Sequence, residues 1–395
     1  MSDTPLHLGV SLDGAGRHPA AWREPGARPD ELFTAGYWAD LVAEAEHGLL
    51  DLVTIDDSLG LQSADPFAAD DRVDQVRGRL DASMLAARIA PLTAHIGILP
   101  TVVVTHTEPF HVSTTIATID YVSSGRAGVQ VRVAARPDDA ALLGRRTFPA
   151  DRDALLRELF DEAADAVEVI RRLWDSWEDD AIVRDGATGR FVDRERLHYI
   201  DFEGPRFSVR GPSITPRPPQ GQPVVAALAH RAEPFALVGT SCDIGFVTPR
   251  DAADARGIVA AIREAQAGAG REAETVHVWA DLTVVLDDDA AAARDRLARL
   301  DATDPCTDDA RVVAGTPAEL ADLLVELGEA GLTGFRLRPA VLPDDLRHIT
   351  RGLVPELQRR GLFRTAYEAT TLRGHLGLPR PADRYATADT AGSHS

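Results

Sequence analysis

Lysine and asparagine are missing from this chain altogether, so all 42 basic residues are arginine. Both missing types have AT-rich codons. A GC-rich genome accounts for their absence, and no function follows from the arginine bias. Basic residues are also outnumbered by 62 Asp and Glu, for a net charge of −20, which argues against nucleic acid or an anionic membrane as the main partner. Cysteine is nearly absent. Cys242 and Cys306 make neither a disulfide framework nor a metal motif, and they suit a reducing, cytoplasmic compartment. The start, MSDTPLHLGV, lacks a basic region followed by an apolar core, so no signal peptide is expected. No apolar run approaches the ~18 residues of a membrane span. The loop after the first apolar run reads SLDGAGRHP, without Gly-x-Gly-x-x-Gly, which weakens a dinucleotide-binding open sheet.

What the chain does have is alternation. Ile96 to Val104 is an apolar, β-branched run broken by Glu108-Pro109, and Val112, Ile116, Ile119 and Val122 then recur at helical spacing. Ser123-Ser124-Gly125 stops that helix, and Ala127 to Val133 is a second short strand. Strand, helix and strand form a βαβ unit with a parallel sheet, and strands this apolar need cover on both faces. Further strands are expected at Leu6–Leu12, Leu50–Ile55, Gln222–Leu228, Asp243–Val247, Val276–Leu286 and Gly334–Leu337, each followed by a helix. Asp153 to Trp177 is the longest of these helices. Residues 178–221, rich in Gly, Pro and charge, are expected as a hairpin excursion, and 287–312 as an acidic helical insertion.

Eight units fit a closed (β/α)₈ TIM barrel better than an open sheet: one α/β domain over residues 1–380, with insertions after strands 4 and 7. Residues 381–395, rich in Ala, Asp and Thr, are expected to be a disordered tail. A site in such a barrel lies at the carboxyl ends of the strands. Those ends carry Asp57, the Thr101–Glu108 segment, Gln130 to Arg136, Ala229 to Glu233, Thr248-Pro249 and Arg338. Arg132 and Arg136 either pair with Asp56 or face an anionic ligand. His106 and His111 are poorly spaced to share a metal. No Ser-His-Asp elbow, His-x-His pair or catalytic cysteine motif appears, so the residues alone yield a barrel and no reaction.

Several segments go further. GRHPAAWREP, LLDLVTIDDSLGL, THTEPFH and SSGRAG, with EVIRRLWDSWEDDAIVRD followed by FSVRGP, resemble the bacterial luciferase-like flavin-dependent monooxygenases. The similarity is greatest to the two-component branch that includes nitrilotriacetate and dibenzothiophene-sulfone monooxygenases, and it runs from about Leu6 to Leu378. The resemblance implies a (β/α)₈ barrel that takes reduced FMN from a separate flavin reductase, activates O₂ and oxidises a small organic substrate, as a homo-oligomer.

Position by position, the resemblance puts Asp57 and Thr101 beside the isoalloxazine ring; a helix cap and a plain strand residue are their ordinary alternatives. Glu108-Pro109-Phe110 matches the family's Asn-Glu-Pro-Tyr turn apart from its first and last residues. The strand-four motif Asn-Val-Val-Thr-Ser reads Gln130-Val131-Arg132-Val133-Ala134, without the hydroxyls; Gln130 is either a flavin-edge group or a polar residue satisfied inside the barrel. The family's His and Tyr on the fourth helix align with Leu156 and Phe160. Its Gly-Ser-Ser phosphate loop aligns with Leu228-Ala229-His230, where His230 and Arg231 offer charge in place of hydroxyls at a helix start. With Leu156 and Phe160 unable to move a proton, His18 and His106 are the candidate catalytic groups. Two other readings stay open: a retooled, non-catalytic paralogue that binds a small ligand or an active homologous subunit, and a deazaflavin in place of FMN.

These departures predict weaker FMN binding than in a typical family member. One lost hydrogen bond to a charged group costs ~1.5–3 kcal/mol, so two losses amount to about a hundredfold or more. Calorimetry returning a sub-micromolar dissociation constant would mean that Arg231 or another group has taken over.

Overall fold

Eight β-branched segments pair side by side, and the eighth pairs with the first, in the computed structural model, which describes residues 6–386 apart from Ala64, Pro66 and Asp308. The strands are β1 (His7–Leu12), β2 (Leu52–Ile55), β3 (Gly97–Val103), β4 (Gly128–Arg132), β5 (Val224–Ala229), β6 (Ile244–Val247), β7 (His277–Leu286) and β8 (Gly334–Pro339). Every pairing is parallel, and closure runs from His7 opposite Gly334 to Val10 opposite Leu337. The expected closed barrel is the observed fold. Helices cover its outside, the longest being Arg152–Trp174, whose Leu155, Leu159, Ala163, Val167, Ile170 and Trp174 are all buried.

Both insertions are present. Residues 178–221 hold two antiparallel ribbons, Ile182–Asp185 with Arg190–Val192 and Phe202–Glu203 with Ser208–Val209. The second insertion is more than helical. After the helix Ala290–Thr303, a ninth parallel strand, Arg311–Gly315, pairs with the outer half of β7. The expected loop at 135–150 contains a short helix, Pro137–Leu143. The described part of the expected tail is packed against the rest of the chain. Residues 381–386 are held where Arg217 donates to Pro381 O, Arg384 meets Asp175 and Glu168, and Tyr385 stacks on His198. The rest of that expected tail, 387–395, lies outside the described residues. Among the described residues no helix is long and apolar enough to cross a membrane.

Side chains alternate along each strand, so each contributes one outward and one inward row. Outward Leu8, Val10 and Leu12 join the core beneath the helices. Inward Leu52, Leu99, Val224, Ile244, Phe246 and Trp279 form a separate apolar plug with Leu372, Leu376 and Leu378 from the chain's last described segment. Trp279 fits because its neighbours are glycines: a Cβ on Gly334 would sit 2.7 Å from the indole. The amino-terminal end of the barrel is thereby sealed, and the site is confined to the other end.

Asp243 ties that seal to the wall. Its carboxylate accepts from Val225 N at 2.8 Å and Arg171 Nη2 at 2.8 Å, and lies 3.4 Å from Arg373 Nη1 on the sealing segment. Burial pushes its pKa up, but Arg171 and Arg373 outweigh burial and hold it at about 2. A depressed carboxyl adds stability above its unfolded pKa and loses it as pH falls through the folded one. Asp243→Asn is therefore expected to cost roughly 2 kcal/mol at neutral pH, with the gap closing between about pH 4 and pH 2. Urea denaturation across that range checks it, and a gap that does not change with pH would refute the assignment.

Candidate active site at the barrel mouth

Above the apolar plug the inward row turns polar. Arg336 on β8 donates from Nε and Nη2 to the two oxygens of Asp281 on β7, at 2.7 and 2.5 Å. Its Nη1 reaches Thr54 Oγ1 on β2 at 3.1 Å and Gln130 Oε1 on β4, and its guanidinium lies 3.9 Å from the centre of the Phe246 ring. Gln130 Nε2 in turn donates to Thr101 Oγ1 at 2.9 Å. Thr101 and Gln130 are each 2% exposed. One layer outward, Arg338 donates to Asp281 and, at 2.7 Å, to Asp309, whose other oxygen is 3.2 Å from His230 Nε2. Thr101, Gln130 and His230, expected separately, thus belong to one continuous polar chain across the barrel. Burial alone would raise the Asp281 pKa, but Arg336 and Arg338 hold it below the usual carboxylate range. Desolvation, with Arg338 and Arg336 adding to it, holds the His230 imidazole below its usual range against the opposing pull of Asp309.

A second group sits at the ends of β1, β2 and β4. Arg132 Nη1 bonds Asp56 at 3.2 Å and Asp57 O at 3.0 Å, the pairing anticipated for Arg132, whereas Arg136 pairs with Asp139 at 2.8 Å. Arg79 and Arg17 approach Asp56 and Asp13 at 3.6 and 4.0 Å. Burial raises the Asp56 pKa, yet Arg132 and Arg79 prevail and hold it low; Asp13, buried beside Asp56, is raised. Asp57 accepts from Ser58 N at 2.7 Å and from Ala82 N at 2.8 Å, the first residue of the helix Ala82–Ile89. It serves that helix start, and burial raises its pKa.

The remaining candidates are spread out. His18 is buried with both ring nitrogens engaged: Ala20 N donates to Nδ1 at 3.2 Å, so the proton is on Nε2, 3.0 Å from Asp301. His106, just beyond β3, has a buried Nε2 with no partner, and its ring centre lies 5.9 Å from that of Phe148. Burial first, then Arg146, lowers the His106 pKa. Arg231 is exposed at the N-cap of the ten-residue helix Ala232–Ser241, which has no side-chain cap. Leu156 is buried and Phe160 packs against the main core.

A strap crosses above these groups. Within residues 59–78, Leu61 O accepts from Arg136 on the β4 side, and Arg72 and Gln75 donate to Asp304 on the β7 side, at 2.7–3.0 Å. Asp74 O accepts from Trp22 and Arg23 in the loop after β1. Asp281, Arg336, Asp13, Arg79 and Asp309 were not singled out by the sequence. For Asp281 and Arg336 the signal was there: a charged residue inside an apolar strand, in phase with the inward row.

The sequence profile of the luciferase-like monooxygenase family matches residues 16–307. Over the whole chain, N-acetyl-S-(2-succino)cysteine monooxygenase of Bacillus subtilis is 30% identical, covering 96% of this chain and 98% of its own. Nitrilotriacetate monooxygenase component A of Aminobacter aminovorans is 28% identical with the same coverage. The crystal structure of a long-chain alkane monooxygenase superimposes with a TM-score of 0.85 at 23% identity, covering 95% of this chain and 96% of the other. With the barrel, its sealed end and its polar mouth in place, the chain belongs to the luciferase-like monooxygenases, a flavin-dependent family.

Proposed function

We propose that this chain is the oxygenating component of a two-component system: it binds reduced FMN from a separate flavin reductase and uses O₂ to oxidise a small organic substrate. The observation that carries the reading is full-length similarity to a named monooxygenase at 30% identity. The residues present fit the cofactor. At the phosphate end, the helix Ala232–Ser241 starts without a side-chain cap, and its exposed Arg231 bonds no side chain among the described residues. The N–H groups of Ala232 and Glu233 beside this guanidinium suit a phosphate, with Pro234 offering none and the Glu233 carboxylate opposing it. His230 contributes a ring already oriented by Thr248 and Asp309.

Bound reduced flavin supplies O₂ activation. The chain's own residues do the rest. Thr101 and Gln130, pinned by Arg336, form a rigid floor that orients what lies on it. The strap at 59–78 covers the mouth and keeps out water. His106 handles a proton at Nε2: that atom is unpaired, and its lowered pKa keeps the ring neutral at pH 7. His18, engaged on both sides, positions the loop after β1 against the helix Ala290–Thr303. Asp57 acts only through the start of the helix Ala82–Ile89, from whose first N–H it accepts.

In a reductase-coupled oxygen-consumption assay, His106→Gln is expected to lower turnover by roughly 10²-fold while leaving FMN affinity within about twofold. Unchanged turnover would remove His106 from the proton path. Wild-type protein that neither binds FMN nor consumes O₂ across a broad substrate panel would overturn the function itself.

A further inference from the structure

Two carboxylates that have no task in the reading above stand side by side at the mouth. β1 and β2 run in register from Gly9 opposite Leu52 to Leu12 opposite Ile55, so the next positions bring Asp13 beside Asp56. Asp56 N donates to Leu12 O at 3.0 Å and keeps the strands together there. Both acids continue the inward row, two places beyond Ser11 and the Thr54 that bonds Arg336. They line one small cavity together with Arg79.

The cations around them are shared unequally. Asp56 Oδ1 accepts from Arg132 Nη1 at 3.2 Å, and its Oδ2 lies 3.6 Å from Arg79 Nη1. Asp13 has Arg17 Nη1 at 4.0 Å, too far for a hydrogen bond. The other groups facing the pair are Arg336, beneath Asp56, and Tyr37, whose hydroxyl donates to Gly14 O at 2.8 Å. Two carboxylates sharing a site do not both ionise freely, and the better-paired one keeps the charge. The titration shifts agree with the geometry. Burial and then Asp56 raise Asp13, whereas Asp56, raised by burial, is held low by Arg132 and Arg79. Neighbouring groups pushed apart in this way divide into an acid and a base.

We propose that Asp13 carries a proton at neutral pH and donates it within the barrel mouth, with ionised Asp56 as the partner that holds the proton on Asp13. The role in turnover rests on the monooxygenase reading; the protonation does not. Monooxygenation puts one atom of O₂ into the product and releases the other as water, so an oxygen in the mouth must collect a proton. In that step the Asp13 O–H bond breaks and its proton passes to the oxygen. The electron pair stays on the Asp13 carboxylate, which Arg17 and Arg79 face. Solvent then replaces the proton, since the Asp13 side chain is 25% exposed. The cavity has room for about one water. A water there accepts from Arg79, whose Nε and Nη1 are sealed and have no hydrogen-bond partner, and donates to the two carboxylates.

Infrared difference spectra of the full chain read the proton without flavin or substrate. Subtracting Asp13→Asn from wild type at pH 7 is expected to leave a protonated-carboxyl C=O band. The same subtraction in an Asp56→Asn background should leave an ionised-carboxylate band, because the neighbouring charge is gone. Asparagine mimics the neutral acid, and a raised carboxyl loses stability as pH rises through its folded pKa. The urea midpoint of Asp13→Asn should therefore equal or exceed that of wild type at pH 7. In the reductase-coupled assay Asp13→Asn is expected to lower turnover by roughly 10²-fold and to remove the alkaline limb of the pH profile, with partial rescue in Asp13→Glu. The proposal is overturned if position 13 gives an ionised carboxylate in wild type, or if its band is the same in the Asp56→Asn background. It is also overturned if Asp13→Asn turns over like wild type, or lowers the urea midpoint as the loss of an ion pair would. A protonated Asp13 in a chain that neither binds FMN nor consumes O₂ would leave the carboxyl pair standing and remove the flavin reading alone.

Discussion

One carboxylate shared by two buried guanidiniums fixes the geometry of the mouth. Asp281 receives Arg336 and Arg338 from alternate positions of the neighbouring strand, and Thr54, Gln130 and Thr101 take their orientation from that pair. Removing a charge from water costs several kcal/mol, and mutual attraction offsets it only when the hydrogen bonding is complete. Here it nearly is: Thr54, Gln130 and the Phe246 ring occupy the remaining sides of Arg336. Such a pair does little for net stability compared with an apolar core. What it does is hold Gln130, and through it Thr101, in one rotamer inside the barrel mouth. A guanidinium suits this because it stays charged at any physiological pH and its donors form a rigid fork. In a chain without lysine, no amine at the mouth can lose its charge through a depressed pKa.

The barrel was legible because its cause is local. β-branched runs of strand length, αL-tolerant helix stops such as Ser124-Gly125, and Thr316 before Pro317 each fix an element without help from distant residues. Thr316 with Glu319 forms a full capping box. The polar floor was not legible, since its cause is pairing across the chain. Asp281 and Arg336 stand 55 positions apart, Arg336 and Gln130 206 apart. Within VWADLTVVL or GFRLR, a lone charge shows only that one strand position is unusual. The inward row could have been drawn from the period of two, and Arg336 and Arg338 on one face would then have stood out. Nothing local marks Arg79, whose approach to Asp56 depends on where the loop before it lands. Asp57 shows the opposite limit: its position matches the family, and the plain alternative of a helix-start carboxylate is what its hydrogen bonds display.

The net charge of −20 and the paired charges of the mouth act at different distances. Exposed charges are screened beyond about 8 Å at physiological salt, so the acidic surface keeps the chain off polyanions without deciding what enters the barrel. Inside, the lower dielectric makes a few arginines count for more than many surface carboxylates. An acidic surface is therefore compatible with a small anionic ligand inside the barrel.

Access then sets the order of events. The plug of Leu372, Leu376 and Leu378 closes one end, which leaves the mouth as the open side of the barrel. The strap's anchors are ion pairs and hydrogen bonds at the rim, notably Arg72 with Asp304, individually worth little. Gly60 lets the strap lie directly on the Arg136–Asp139 pair, where a side chain would collide with it. A cover held by several weak contacts can open at small cost, and the barrel need not deform when it does.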